Sequence, residues 1–260
     1  MVDPGHFERH AAVYAGARPP YPDALWDELL RAGYLTPGRR VLELGAGTGQ
    51  ATGPLLAAGL GVTAVEPGPR LAERLRAAHP AATVVVARAE DVDHGEDTYD
   101  LAVAATSVHW LDLDVVLPAV HRALRPGGAF LVWRNVFGDR AVRTPFRARV
   151  EEVVARRTRP ARPGPDAEDA AATVAALTRS GLFRADPVRT FRWSVDLDED
   201  QVRRLFTTFS DWTPDEVEAV ARAVRDLGGV VTEHYLSWLV ALHPVRHGGI
   251  GRGRASFSQA

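Results

Sequence analysis

The sequence predicts an α/β architecture, a mostly parallel sheet with helices on both faces. Three observations carry that expectation. Short apolar runs alternate with stretches of helical spacing from Val41 to Trp133. The first run, Val41 to Leu44, breaks into a glycine-rich turn, Gly45-Ala46-Gly47-Thr48-Gly49. The second, Val62 to Val65, ends on a carboxylate, Glu66.

Taken in order, residues 1–36 form an N-terminal extension stiffened by Pro19, Pro20 and Pro22. Asp23 is placed to cap a helix carrying Leu25, Trp26, Leu29 and Leu30 on one face. Strands are expected at 41–44, 62–65, 83–86, 100–104 and 129–133, with helices near 50–58, 69–78 and 113–124. Pro126-Gly127-Gly128 breaks the chain before the fifth strand. Beyond it, Pro145 to Arg159 reads as a helix, 160–165 as a breaker-rich loop and Glu168 to Ser180 as another helix. Val188 to Val195 alternates as a strand, two helices follow near 198–208 and 214–227, and Tyr235 to His243 reads as the last strand. The glycine- and serine-rich tail, 248–260, is expected to be disordered.

Composition narrows the function. Hydrophobic content of 46% and charged content of 25% are ordinary for a globular protein, and a net charge of −2 draws the chain toward neither nucleic acid nor membrane. No apolar stretch reaches the length of a membrane span, and the start lacks the basic-then-apolar pattern of a signal peptide, so a cytoplasmic location is expected. With no cysteine, disulfides, thiolate nucleophiles and cysteine-bound zinc are excluded. His234 and His243 have no spacing partner that suggests a metal site.

The glycine-rich turn implies a ligand approached closely by main chain. An acid at the end of the next strand, roughly 20 residues on, suits two ribose hydroxyls. A dinucleotide fingerprint needs a third glycine three residues after the second. Here Gly49 follows Gly47 too soon and Gln50 takes the third position. Glu43 also stands two residues before the first glycine, where it would repel a pyrophosphate and attract a cation. S-adenosyl-L-methionine, with its ammonium and sulfonium, fits this pair of acids better than NAD.

Four stretches extend the pattern: Tyr14 to Pro22; Val41 to Gly49 with Val65-Glu66-Pro67; Ala89-Glu90-Asp91 with Ser107-Val108-His109-Trp110; and Leu124 to Phe130 running into Val132-Trp133. On them the chain resembles class I S-adenosylmethionine-dependent methyltransferases, of the trans-aconitate methyltransferase-like small-molecule branch. The resemblance implies a Rossmann-like sheet of seven strands with an antiparallel last strand. It also implies a hairpin of the last two strands at one edge and a helical cap over the acceptor pocket. The implied divisions are an N-terminal lid at 1–36, a cofactor-binding core at 37–137, cap helices and the last two strands at 138–247, and the tail.

Ligands of open parallel sheets bind beyond the C-terminal strand ends. The expected cofactor contacts are therefore Glu43, Gly45, Ala46, Gly47, Gln50, Glu66, Pro67, Ala89, Glu90 and Ala105, joined through the resemblance by Tyr14 and Arg18 of the lid. Glu66 is assigned the ribose, the Gly45–Gly47 main chain the methionine part, Ala89 and Glu90 the adenine edge, and the Arg18 fork the methionine carboxylate. S-adenosyl-L-homocysteine would be the product. Tyr21, Trp110, Trp133 and Phe137 are assigned to the acceptor pocket. His109, just past the fourth strand, is the candidate general base, with a wall role as the alternative.

The expected reaction is methylation of a small molecule on oxygen, nitrogen or carbon in bacterial secondary metabolism, with oxygen leading on the resemblance. The alternatives are a non-methylating cyclase or condensation enzyme with the same cofactor, an NAD-dependent oxidoreductase, and a silent binding partner. From Asp139 to Arg162, eight arginines face three acids. A solvated helix face is the favoured reading, against an anionic substrate or RNA. Ala105-Thr106-Ser107-Val108 also lacks the tetrapeptide of base-amine methylating enzymes, so nucleic acid is not the expected partner.

Overall fold

The computed structural model of the chain describes residues 16–157 and 168–246. Tyr14, the 160–165 loop, Arg159 and the 248–260 tail lie outside the described residues. Helix α1 (Asp23–Arg31) precedes the alternation β1 (Arg40–Leu44), α2 (Thr52–Ala57), β2 (Gly61–Val65), α3 (Pro69–Ala78), β3 (Thr83–Val85), β4 (Tyr99–Ala105), α4 (Leu113–Ala123) and β5 (Leu124–Phe137). Then come α5 (Pro145–Ala155), α6 (Ala170–Thr178), β6 (Phe183–Ala185), β7 (Arg189–Asp198), α7 (Glu199–Thr207), α8 (Pro214–Asp226) and β8 (Val230–Pro244).

The sheet runs β3-β2-β1-β4-β5-β8-β6, with β7 also on β8. The first five strands pair in parallel, and β8 is antiparallel to β5. Leu242 pairs with Phe130 of β5 and with Ala185 of β6, while Leu239 pairs with Trp133 and with Arg189 of β7. Strands β6 and β7 therefore lie end to end along one side of β8, and eight strands fill seven positions.

The last two long strands pair antiparallel at one edge as expected, with the two expected helices, α7 and α8, between them; β8 lies inside, while β6 and β7 form the edge. One expectation needs correction. Pro126-Gly127-Gly128 does not precede a strand; it is a bulge inside β5, where the β4 partner steps from Leu124 to Ala129. The three-residue β6 was not expected; it is too short to show alternation.

Two apolar layers cover the sheet. Val41, Val103, Leu131 and Trp133 pack with Leu25 and Leu29 of α1 and Leu55 of α2. On the other face, Leu42, Ala102 and Phe130 pack with Val116 and Val120 of α4 and Leu177 of α6. A third cluster joins Phe146 of α5, Phe206 of α7 and Val220 of α8 to Leu197 and Val231, at the ends of β7 and β8. Phe137, partly buried, packs on it and carries the cluster to the C-terminal end of β5.

Candidate active site

One cavity of about 730 Å³ opens over the C-terminal ends of β1, β2, β4 and β5. This is where a parallel sheet with a reversal of strand order leaves a crevice. Gly45 and Gly47 both hold positive φ, +69° and +59°, and both line it. A Cβ on Gly45 would come within 2.6 Å of Ser107 Cβ, so β4 closes against this turn. A Cβ on Gly47 would meet nothing within 4 Å, which leaves the cavity open against main chain there.

Two carboxylates flank the turn. Glu66 receives the Gly47 N–H on Oε2 at 2.8 Å and the Gly68 N–H on Oε1 at 2.9 Å. Glu43, 1% exposed, accepts from the Thr52 hydroxyl at 2.6 Å. Burial pushes its carboxyl up to about 8; the Thr52 bond opposes the rise, and the charge of Glu66 adds to it. An acid pair beside an exposed main-chain turn fits a cationic nucleoside and disfavours a pyrophosphate.

The adenine-edge candidates sit on a short 3-10 turn, Ala89–Asp91. His94 Nε2 lies 3.0 Å from the Ala89 carbonyl, and Glu90 Oε1 accepts from the Asp112 N–H at 2.8 Å. The second bond ties this turn to the start of α4. Burial works against ionisation of Glu90, but that hydrogen bond and the nearby Arg88 hold its carboxyl below the ordinary range.

The strap 18–21 lines the cavity through Arg18, Pro19 and Tyr21 and is held by its own carbonyls. Gln50 Nε2 donates to Pro19 O at 2.5 Å, and Asn135 Nδ2 donates to Pro20 O at 3.3 Å. The Tyr21 and Thr106 hydroxyls lie 2.9 Å apart. Thr106 has φ +59°, a costly conformation for a β-branched residue, at the end of β4 in the cavity wall. Arg18 donates to Thr208 O at 3.2 Å and lies 4.3 Å from the Phe209 ring centre. It is thus turned toward the segment after α7.

Every expected contact among the described residues lines the cavity except two. Trp133 is wholly buried in the core, edge-on to Tyr21 at 5.8 Å and to Trp26 at 5.7 Å; it supports the wall from behind. His109 is exposed and outside the lining, and its Nδ1 is 2.9 Å from an Arg134 guanidinium nitrogen. A guanidinium only donates, so Nδ1 accepts, and the nitrogen nearest a partner is not available to take a proton from an acceptor. The structure thus places His109 apart from the residues that line the cavity.

Asn135, Leu205, Phe209 and Tyr235 also line the cavity and were not singled out from sequence. Asn135 had a signal, since it shares the strand phase of Trp133 and Phe137. The others had none, because their position depends on how β8 and α7 fold back.

The arginine-rich run is largely paired where described. Arg149 meets Glu152, and Arg157 meets Glu216 and Asp211 while covering the Trp212 ring at 4.4 Å. Among the described residues no group of three metal-binding side chains converges, and no helix is long and apolar enough to cross a membrane.

Comparison with known proteins points to a methyltransferase fold. Residues 42–132 match the family model described as a methyltransferase domain. An uncharacterised methyltransferase of Mycobacterium tuberculosis is 40% identical over 130 residues, covering 50% of this chain and 52% of the relative; one from Mycobacterium bovis matches equally. The chain thus spans about half the length of the curated relatives it matches. Among solved structures, a protein assigned as a type II methyltransferase from Anaeromyxobacter dehalogenans is 27% identical, with a TM-score of 0.62, over 86% of this chain and 96% of that one. An S-adenosylmethionine-dependent methyltransferase from Geobacter sulfurreducens, solved with S-adenosyl-L-homocysteine, shares the fold at 20% identity and a TM-score of 0.52, over 94% of this chain and 100% of that one. By the match of residues 42–132 and the fold it shares with solved structures, the chain is similar to S-adenosylmethionine-dependent methyltransferases.

Proposed function

We propose that the protein transfers a methyl group from S-adenosyl-L-methionine to a small molecule. The observation that carries this is the placement of Glu43 and Glu66 on either side of the Gly45–Gly47 turn in one cavity. The residues fit the cofactor: Gly47 leaves the space a Cβ would fill, and the donor set is two acids with main-chain groups. Glu66 would hold the ribose hydroxyls, the 45–47 main chain and Glu43 the methionine part, and Ala89 with Glu90 the adenine. When bound, the cofactor supplies an electrophilic methyl carbon on a sulfonium.

The chain's own task is then positioning and exclusion of water. Tyr21, Thr106, Trp110, Phe137 and Phe209 line the cavity beyond the turn, and the strap 18–21 would close it as a lid. Trp110, 42% exposed, stands at the rim. Residues 1–36 as lid, the α7–α8 insertion as cap, and the kinship with the trans-aconitate branch are part of this reading, as is oxygen as the favoured atom. With His109 outside the cavity, an acceptor that is already ionised suits the site, because it needs no base. The test is mass-spectrometric detection of S-adenosyl-L-homocysteine formed together with a product heavier by one methylene unit. Nicotinamide turnover, or product without S-adenosyl-L-homocysteine, contradicts the reading.

A further inference from the structure

The far wall of the cavity carries a group that the methyltransferase reading does not use. Strands β1 and β8 are three positions apart, and Tyr235 sits level with Phe137, four residues beyond Trp133, so it stands on the far side of the cavity from the Gly45 turn. Its ring is clamped. Trp193 stacks on it at 4.6 Å and 21°, and Phe137 meets it edge-on at 5.6 Å. The residue is 3% exposed and lines the cavity, yet among the described residues its hydroxyl is one of the buried polar atoms with no hydrogen-bond partner. Such an orphan costs stability, and phenylalanine would fill the same volume without that cost. A ligand that takes the hydroxyl's bond supplies the reason for tyrosine.

The surroundings say what kind of ligand. Arg18 lies 4.3 Å from the Phe209 ring and Arg147 4.5 Å from the Phe137 ring, so two guanidiniums cap the aromatic wall around Tyr235. Arg147 also donates to Phe137 O at 3.2 Å and lies 3.8 Å from Glu233 Oε1. Among the described residues Glu233 is the one acid coupled to this phenol; burial pushes it up to about 7, with Arg147 and the His234 N–H opposing, so near neutrality it is only partly ionised. The balance of charge is positive. Burial also raises the phenol, which therefore stays a donor.

We infer that the Tyr235 hydroxyl is the specificity contact for the methyl acceptor, and that the acceptor is a flat, largely apolar molecule presenting an anionic oxygen to it, an aromatic carboxylate or phenolate. The inference rests on the methyltransferase reading for the word acceptor, and on Tyr235, Arg18, Arg147 and the Phe137–Phe209 wall for the chemistry. An amine acceptor would face two arginines.

The experiment is calorimetric titration of the full chain with benzoate, benzamide and benzylamine, each with and without S-adenosyl-L-homocysteine, in wild type and Tyr235→Phe. The expected result is that benzoate binds best to the wild type and about tenfold or more weaker to the variant, the scale of a hydrogen bond to a charged group. The variant's affinity for S-adenosyl-L-homocysteine holds, and its melting temperature holds or rises. Equal benzoate affinity in the two proteins overturns the inference, as does preference for benzylamine or binding of none of the three. Loss of S-adenosyl-L-homocysteine binding in the wild type, with benzoate binding still dependent on Tyr235, overturns the cofactor reading and leaves the anion subsite standing.

Discussion

The Thr52 hydroxyl donates to Glu43 at 2.6 Å inside a wall that leaves the acid 1% exposed. One neutral hydrogen bond does not replace the hydration of a carboxylate, and burial accordingly holds Glu43 up to about 8. A carboxyl raised in the folded state favours the fold while it stays protonated. That advantage is complete below the ordinary carboxylate range and is lost as pH rises through about 8. Glu233, raised to about 7, acts with the same sign. The lowered carboxylates and His94 act with the opposite sign, so the readout is the difference between two proteins: the melting temperature of Glu43→Gln relative to wild type should rise from the carboxylate range to about pH 8. A difference that stays constant or shrinks with pH contradicts this.

A cation beside Glu43 favours its ionised form, so cofactor binding near neutrality should release a proton. Titrations in buffers of different ionisation enthalpy measure that release directly. Wild type should show it, and Glu43→Gln should show much less and bind about tenfold more weakly. Equal proton release in the two proteins would exclude Glu43 as its source.

Glu66 accepts N–H groups from Gly47 and Gly68, so it orders the turn as well as facing the cavity. Glu66→Ala should weaken S-adenosyl-L-methionine by about 1.5–3 kcal/mol. Unchanged affinity by calorimetry would remove Glu66 from the ribose site.

His109→Ala should leave the turnover rate and its pH profile close to wild type. The residue is exposed, and its loss should cost under about 0.5 kcal/mol of stability. A rate drop confined to one limb of the pH profile would restore it as a base.

Trp133 separates core from pocket. Trp133→Ala should cost about 3–5 kcal/mol in chemical unfolding, the range for emptying a buried indole site. Its milder counterpart Trp133→Phe should leave the Michaelis constant for acceptor near wild type. A large change in that constant without loss of stability would return Trp133 to the acceptor wall.

The cofactor half of the site was legible because its signals are local. An apolar run, a glycine turn and an acid at the next strand end lie within a stretch held together by parallel β1–β2 pairing, with Glu43 opposite Ala64. The helical periods of α3 and α4 were legible for the same reason. The acceptor half depends on distant pairing. Ser237 donates to Asn135 at 2.6 Å across 102 residues of chain, and Phe137 faces Tyr235 only because β8 inserts beside β5. Nothing near Tyr235 in sequence marks it as a cavity residue. Strand phase puts Trp133 on the expected face of β5, but its depth behind the cavity wall was not legible, because it is set by Tyr21 and Trp26 packing over it.

The most direct measurement is a crystal structure of the chain soaked with S-adenosyl-L-homocysteine. The account predicts ribose oxygens within hydrogen-bonding distance of the Glu66 carboxylate and the amino-acid portion against Gly45 and Gly47. Density elsewhere, or none in a crystal whose cavity is open to solvent, would contradict it.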